Sequence, residues 1–228
     1  MYKYETHVHT KPVSRCAHFT VQEVLDFYKK KGYDGIFLTN HFLCGNININ
    51  FDIPYKEKLD FYFSDYHEAV AYGAKIGLKV FLGVELSYKG TDFLIYGLSE
   101  EWYYNHPEIM DMKKSDELSF MMDEGAFVVH AHPMREAKYI DHIRLFPRCV
   151  HGVEVVNGCR TDFENAMAEN YADNYNLFKS AGSDNHFNGS VLCLAGIKTK
   201  TPLMSEEDFI TTIKNGKAEI FTEKSEEK

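Results

Sequence analysis

The sequence of 228 residues predicts an α/β fold whose parallel strands close into a barrel. Short apolar runs alternate with helical patterns along the chain, an order typical of a parallel sheet covered by helices. Histidine, aspartate and glutamate residues follow five of the predicted strands at their carboxyl ends. In a barrel those ends converge on one face, whereas an open sheet would spread them along an edge, so we favour the barrel.

The first predicted strand, residues 3–9, alternates polar and apolar side chains. This alternation places His7 and His9 on one face, because side chains two apart in a strand point the same way. A helix is predicted from Thr20, which forms a capping-box pattern with Glu23. Two imidazoles that point in one direction indicate a common partner, such as a metal ion.

The remaining elements are predicted from apolar runs and from helical periodicity. Further strands are expected at residues 34–41, 78–85, 91–97, 126–133, 151–158, 179–186, 195–200 and 218–222. Further helices are expected at residues 64–77, 106–124, 162–176 and 205–216. Residues 1–222 are interpreted as a single barrel domain, and residues 223–228 as a charged, solvated tail.

Composition excludes several classes of protein. Apolar residues make up 44% and charged residues 26% of the chain, which is ordinary globular usage. No apolar run is long enough to span a bilayer, and residues 1–7 lack an export signal pattern, so a cytoplasmic location is expected. The five cysteines are scattered without a CxxC pair and are expected to be free thiols.

The net charge of −9, without a long run of lysine and arginine, argues against an extended nucleic-acid surface. It leaves a small phosphorylated substrate as the expected partner, because bound cations can reverse the local field. No membrane association is expected, and the oligomeric state stays open.

Eight imidazole and carboxylate groups fall at predicted strand ends: His7, His9, His41, Glu85, His130, His132, Asp184 and His186. Such groups are ligands of zinc, manganese or iron. Their number exceeds what one tetrahedral ion needs and suits two or three ions that share a carboxylate. A single buried histidine is more often a core residue, but so many titratable groups are costly to bury without a cation.

Six segments occur in the order of the motifs of the PHP (polymerase and histidinol phosphatase) superfamily: THVHT (6–10), TNH (39–41), GVE (83–85), HAHP (130–133), GVEVVNG (152–158) and GSDNH (182–186). The chain resembles this superfamily over nearly its whole length. The resemblance implies a distorted (β/α)7 TIM-like barrel, with a trinuclear metal site at the C-terminal ends of the strands and phosphoesterase activity.

Carried onto this chain, the resemblance implies three ligand groups: His7, His9, Glu85 and Asp184; Glu85 and His132; and His41 and His186. The last group lacks one ligand, which in the family comes from the loop after the first motif. By register that position is Cys16, with His18 as the competitor. We prefer Cys16, because a thiolate is a legitimate zinc ligand. His130 is interpreted as an additional ligand or a substrate contact.

Two positions depart from the family pattern. Asn40 stands where relatives commonly have the aspartate of TDH, and we expect this exchange to weaken the support of the metal ligands. Asp92 takes the place of a histidine that binds the second ion in some relatives, which favours a harder ion such as manganese.

The resemblance implies hydrolysis of a phosphoester in a small substrate by a hydroxide that bridges two cations. Glu85 and His132 would act at the ions. Arg135 and Arg160, in loops beyond strand ends, are candidates for holding phosphate oxygens, with a merely solvated arginine as the open alternative at each position.

Other functions remain open at this point. A 5′–3′ exonuclease or nucleotide phosphatase that acts on short oligonucleotides would use the same ions. A catalytically silent metal-binding module would keep the ligands without the reaction. Amidohydrolase chemistry on a C–N bond also shares the barrel and the ions, and fold alone does not exclude it.

Overall fold

A computed structural model of the protein describes residues 1–225, in which nine strands form one mixed sheet flanked by six α-helices. The strands are β1 (Tyr2–Val8), β2 (Gly35–Leu38), β3 (Lys79–Tyr88), β4 (Thr91–Tyr96), β5 (Phe127–Ala131), β6 (Gly152–Asn157), β7 (Phe178–Gly182), β8 (Cys193–Thr199) and β9 (Glu219–Lys224). The helices are α1 (Val21–Lys30), α2 (Tyr55–Ile76), α3 (Glu100–Asn105), α4 (Lys114–Asp123), α5 (Asp162–Tyr175) and α6 (Glu206–Lys214), with a 3-10 helix at Pro107–Asp111.

The sheet is nearly closed into a barrel. Its strand order is β7-β6-β5-β4-β3-β2-β1-β8-β9, and the end of β7 returns to β1. There the Thr6 hydroxyl donates to the Ala181 carbonyl at 2.6 Å, and the Asp184 N–H donates to the His7 carbonyl at 2.8 Å. The expected barrel shape is therefore present, and its closure brings the ends of β1 and β7 into direct contact.

The distorted (β/α)7 arrangement is not confirmed, because the sheet contains nine strands of mixed direction. Strand β4 runs antiparallel to both β3 and β5, and β8 runs antiparallel to β1 and β9. The β3–β4 connection is a two-residue turn, Lys89 and Gly90, with φ of 51° and 83°. Two residues with positive φ form a tight hairpin turn, which is too short for the crossover that a parallel pair requires.

Helix boundaries follow the sequence signals in part. The capping box of Thr20 and Glu23 is confirmed at the start of α1. Helix α2 begins at Tyr55, after Pro54, rather than at Ser64. The Ser64 hydroxyl donates to the Phe61 carbonyl at 2.7 Å, so this serine lies inside the helix instead of capping it.

The single helix expected at residues 106–124 is divided into the 3-10 helix and α4. At the other end of the chain, β9 continues through Lys224, so the tail predicted to begin at residue 223 begins inside a strand. The rest of that prediction, residues 226–228, lies outside the described residues. Among residues 1–225, no helix combines the length and apolar composition needed to cross a membrane.

An aromatic core fills the barrel beneath the strand ends. The rings of Phe37 and Phe81 stack at a centroid distance of 4.7 Å, and Phe209 of α6 packs on Phe37 at 4.5 Å. The Tyr96 hydroxyl donates to the Thr6 carbonyl at 2.8 Å. This packing fixes the strands whose carboxyl ends carry the polar side chains.

His130, predicted as an additional ligand or a substrate contact, lies in an aromatic pocket and outside the three groups of candidate ligands. Its buried ring stacks on Phe93 at 5.0 Å and meets the edges of Tyr171 at 5.7 Å and Phe146 at 6.2 Å. Neither ring nitrogen has a hydrogen-bond partner within the described chain. Strand β5 ends before His132, whose φ of 27° turns it away from the face that His130 occupies.

We predict that His130→Phe makes the protein less sensitive to acid and leaves its metal content unchanged. Burial lowers the pKa of His130 to about 3. The unfolded imidazole takes up a proton below about pH 6.5, so the parent loses stability as the pH falls from there towards 3. Phenylalanine removes that loss, about 2 kcal/mol at pH 5. Urea unfolding at pH 7 and pH 5 measures it, and loss of a bound metal ion would contradict this placement.

We predict that Gly182→Ala disturbs the closure between β7 and β1. A Cβ at this position would lie 2.5 Å from the His7 Cβ and 2.9 Å from Glu154 Oε1. We expect the free energy of unfolding to fall by about 1–3 kcal/mol, because a packed site resists added volume. Ser180→Ala is the matched control on the same strand, since its buried hydroxyl has no hydrogen-bond partner in the described chain. Equal stability of the two variants would contradict the prediction.

Candidate metal centre

Seven of the side chains predicted as ligands converge at the carboxyl ends of the strands. They form three groups, in each of which the candidate ligand atoms lie within 4.8 Å of one another. The groups are His7, Glu85 and His132; His7, His9 and Asp184; and His9, His41 and His186. His7 and His9 each belong to two groups, so the three groups share one continuous cluster.

Glu85 lies at the centre of this cluster. Its Oε2 is 2.6 Å from His41 Nδ1, and its Oε1 is 3.2 Å from His7 Nε2 and 3.4 Å from His132 Nε2. Burial alone would raise the pKa of Glu85, but the charges of His41 and His7 hold it well below its usual value. Its carboxylate is therefore ionised and faces imidazoles from several strands, as a bridging ligand would.

The residues present fit a cation site. Five buried ligand atoms have no partner in hydrogen-bonding geometry among residues 1–225: His7 Nε2, His9 Nε2, His41 Nδ1 and both Glu85 oxygens. Unsatisfied buried polar atoms are costly, and native proteins pair nearly all of them. Imidazole nitrogens and carboxylate oxygens that face one another without hydrogen bonds are the donor set of zinc, manganese or iron.

Cys16 joins the group at His41 and His186. Its Sγ is 3.2 Å from His41 Nε2, which in turn is 3.5 Å from His186 Nε2. Burial alone would raise the pKa of Cys16, but the hydrogen bonds from His186 and His41 lower it to about 6. The thiolate, which is the form that binds metal, is thus favoured at neutral pH. His18 is exposed, and its recorded contact is a backbone N–H donated to the His186 carbonyl.

Glu154 supports this cluster and was missed by the sequence analysis. Its Oε1 lies 2.9 Å from His7 Nδ1, and its Oε2 accepts the His132 N–H at 3.0 Å and the Asn157 amide at 2.8 Å. A carboxylate behind an imidazole fixes the orientation of the ring and increases its basicity. Burial opposes protonation of His7, but the charges of Glu154, Asp184 and Glu85 raise its pKa well above the usual value. The signal was present, since a glutamate inside the apolar run of β6 needs a buried partner.

Glu5 was also missed, although it lies two residues before His7. It is fully buried and accepts the His7 N–H at 2.9 Å, the Ser183 N–H at 2.8 Å and the Tyr28 hydroxyl at 2.9 Å. The Ser183 hydroxyl also donates to it. Burial raises the pKa of Glu5 to about 7 despite these hydrogen bonds. This carboxyl group joins the ends of β1 and β7 directly beneath the ligands.

Two ligand candidates hold unusual backbone conformations. His132 has φ of 27° and Asp184 has φ of 54°, a region that residues other than glycine rarely adopt. Such conformations cost on the order of 1–3 kcal/mol each and persist where the surroundings impose them. Here the Glu154 carboxylate accepts the His132 N–H, and the His7 carbonyl accepts the Asp184 N–H. The same contacts aim both side chains into the cluster.

Arg135 and Arg160 line a cavity of about 700 Å³ together with Glu85, His132 and Asp184. Each has a buried Nε without a hydrogen-bond partner in the described chain. Arg135 is held by the Gly90 carbonyl at 3.1 Å and by Asp92 Oδ2 at 2.9 Å. Arg160 is held more loosely, with its Nη1 3.9 Å from Glu164 Oε1.

Asp92 borders the cluster from the side of Arg135. Its Oδ2, which accepts from the guanidinium, lies 3.7 Å from His132 Nε2. The side chain therefore stands next to the candidate metal ligands, but its charge is shared with an arginine. This geometry makes Asp92 a link between the cluster and the cavity wall.

Comparisons with known proteins agree with this fold. A family model described as PHP-associated matches residues 162–218. A search of curated proteins finds no match to the chain.

Three solved structures have similar folds. The first is a two-domain protein of Bacteroides vulgatus containing a predicted PHP-like metal-dependent phosphoesterase, with a TM-score of 0.69 and 18% identity over 96% of this chain. This chain spans only 64% of that protein. A candidate metal-dependent phosphoesterase of Bifidobacterium adolescentis has a TM-score of 0.57 and 14% identity, covering 93% of this chain and 95% of its own. An amidohydrolase of Chromobacterium violaceum, with bound sulfate and no metal, has a TM-score of 0.57 and 15% identity, covering 95% and 97%.

At these identities the structural likeness concerns the fold. The family match covers the region from α5 to the start of β9, and the ordered motifs cover the strands before it. The PHP-associated match covers residues 162–218, the solved structures share the fold of this chain, and the motif residues converge at one end of that fold.

Proposed function

We propose that this protein is a metal-dependent phosphoesterase that hydrolyses a small phosphorylated substrate. The observation that carries the proposal is the cluster of buried, unsatisfied ligand atoms around Glu85, which opens into a cavity lined by two arginines. Metal ligands beside guanidinium groups are suited to a phosphoryl group, whose charge both can neutralise.

We propose that two or three divalent ions, zinc, manganese or iron, occupy the cluster. Glu85 would bridge sites that His7, His9, His132 and Asp184 complete, while Cys16, His41 and His186 would hold a site with zinc-like ligands. Bound divalent cations lower the pKa of water and neutralise phosphate charge, so this reaction needs no side-chain nucleophile. The protein itself holds its imidazoles in the required orientation through Glu154 and Ser14.

The arginines would position the phosphoryl group. Arg135 is fixed by Asp92 and the Gly90 carbonyl, so its remaining donors are pre-oriented towards the cavity. Arg160 has a longer ion pair, 3.9 Å to Glu164 within the described residues, and would turn more readily towards an incoming anion. A cavity of about 700 Å³ accommodates a small molecule, which fits the preference for a small substrate over an extended nucleic acid.

We expect Glu85→Gln to lower kcat for phosphoester hydrolysis by on the order of 10²-fold or more, because a neutral amide cannot supply the central charge of the cluster. The assay is hydrolysis of 4-nitrophenyl phosphate and a panel of nucleotides and phosphorylated metabolites, with Zn²⁺ or Mn²⁺ added. Glu57→Gln, which alters an exposed glutamate of α2, is the matched control and keeps parental activity.

The same panel, extended to short oligonucleotides with a 5′ phosphate and to amides, separates the alternatives. Activity on the 5′ phosphate of short oligonucleotides would indicate an exonuclease or nucleotide phosphatase. Hydrolysis of amides alone would indicate an amidohydrolase. A metal-loaded parent that is as inert as Glu85→Gln on every substrate would identify a silent metal-binding module and overturn the proposal.

We expect Cys16→Ala to lose one equivalent of bound zinc, because it removes the thiolate beside His41 and His186. His18→Ala is the matched control, since it removes the competing side chain from the same loop, and it keeps the parental zinc content. Inductively coupled plasma mass spectrometry of the dialysed proteins measures both. The reverse pattern would assign the ligand to His18 instead.

A further inference from the structure

A buried polar network joins the loop that follows β1 to helix α2. Its members are Thr10, Ser14, Asn40 and Asp65, whose exposed fractions are 0%, 0%, 3% and 2%. Thr10 and Ser14 lie in the loop after β1, and Asn40 lies in the loop after β2. Asp65 belongs to helix α2, on the far side of the network from the ligands. An acidic side chain in the middle of a helix and almost fully buried requires a specific role.

Asn40 uses every hydrogen-bonding capacity of its amide. Its Oδ1 accepts the Thr10 N–H and the Ser14 hydroxyl, both at 2.8 Å. Its Nδ2 donates to Thr10 Oγ1 at 2.8 Å and to Asp65 Oδ2 at 3.2 Å. An amide oxygen takes two donors and an amide nitrogen gives two, so no capacity is left over. Only an amide fits this position, because the atom that faces Asp65 must donate a hydrogen bond while the other atom accepts two.

Asp65 is the common acceptor at the end of this network. Besides the Asn40 amide, its Oδ2 accepts the Thr10 hydroxyl at 2.6 Å and the Val13 N–H at 3.4 Å. These three donors come from the loop after β1 and from the second residue after β2. The carboxylate therefore ties helix α2 to both segments that carry ligands of the cluster.

Ser14 connects the network to the ligands themselves. Its hydroxyl donates to Asn40, so its oxygen is left to accept the His41 N–H at 3.1 Å and to contact His9 Nδ1 at 3.3 Å. A ring nitrogen that faces an acceptor carries the proton, which leaves Nε2 of His9 free to bind metal. Every donor in the series His9, Ser14, Asn40 thus points towards Asp65.

We infer that Asp65 is a positioning residue of the metal centre. Asn40 and Asp65 form a matched donor–acceptor pair, in which the Asn40 amide connects the Asp65 carboxylate of α2 to the loop that holds the ligands in place. The pair revises the expectation that Asn40 weakens the support of the ligands, since the carboxylate is present in the network but comes from α2. This inference deepens the proposed function, because it assigns the support of the same metal site.

The test is a reciprocal exchange in the full-length protein, read by zinc affinity in competition with a chromophoric chelator. Asp65→Asn weakens zinc binding about 10-fold to 100-fold, the range for lost support behind a ligand. Asn40→Asp also weakens it, because two carboxylates would face each other where 3.2 Å now separates donor and acceptor. The double variant Asn40→Asp/Asp65→Asn restores donor against acceptor and recovers affinity to within about threefold of the parent.

Glu68→Gln is the matched control, since it removes an exposed carboxylate from the same helix, where Gln22 donates to it at 3.1 Å. It leaves the zinc affinity unchanged. Thermal unfolding of the metal-free proteins is measured in parallel, because a purely structural role would lower stability in both single variants without rescue of affinity in the double variant.

Two results would overturn the inference: zinc affinity of Asp65→Asn equal to that of the parent, or improved affinity in Asn40→Asp alone. Neither depends on turnover. If the parent hydrolyses no phosphoester but the affinities follow the reciprocal pattern, the proposed function fails and the role of Asp65 stands. If the parent hydrolyses phosphoesters but the zinc affinities do not follow the reciprocal pattern, the proposed function stands and the role of Asp65 fails.

Discussion

The carboxylate of Glu85, with an exposed fraction of 1%, lies among imidazoles contributed by several strands, and much of the fold serves to hold it there. A buried charge costs several kcal/mol unless it is paired. In this protein the partners His7, His41 and His132 come from distant parts of the sequence. The closure of the barrel between β7 and β1 then brings Asp184 and His186 to the same cluster.

Two further carboxylates, Glu5 and Glu154, lie one layer below the ligands and fix them from behind. Glu154 orients His7 and accepts the N–H of His132, while Glu5 joins the His7 backbone to Ser183. These contacts explain how the His7 ring keeps its orientation although its Nε2, which faces the cluster, has no hydrogen-bond partner in the described chain. They also explain why the strained backbone at His132 is maintained, since the surrounding network accepts its N–H.

Sequence periodicity located most strands and most candidate ligands. Spacing alone did not show which histidines of two identical HxH patterns face the cluster. The HxH pattern occurs twice, and at 7/9 both rings join the cluster while at 130/132 only one does. The difference is the backbone at His132, where a positive φ breaks the alternation that the prediction assumed. The antiparallel direction of β4 was also missed. The sequence analysis predicted a parallel sheet, but Lys89 and Gly90 form a hairpin turn between β3 and β4.

The charge of the cavity is set locally, not by the net charge of −9. Fields at the surface are screened over about 8 Å at physiological ionic strength, so the groups that line the cavity decide what it attracts. Arg135 is balanced by Asp92, which leaves Arg160 as the guanidinium with the weaker ion pair beside the cluster. A compact phosphoryl group would reach that cation and the candidate metal ligands together. The arrangement of charge within the cavity therefore suits the small phosphorylated substrate that we propose.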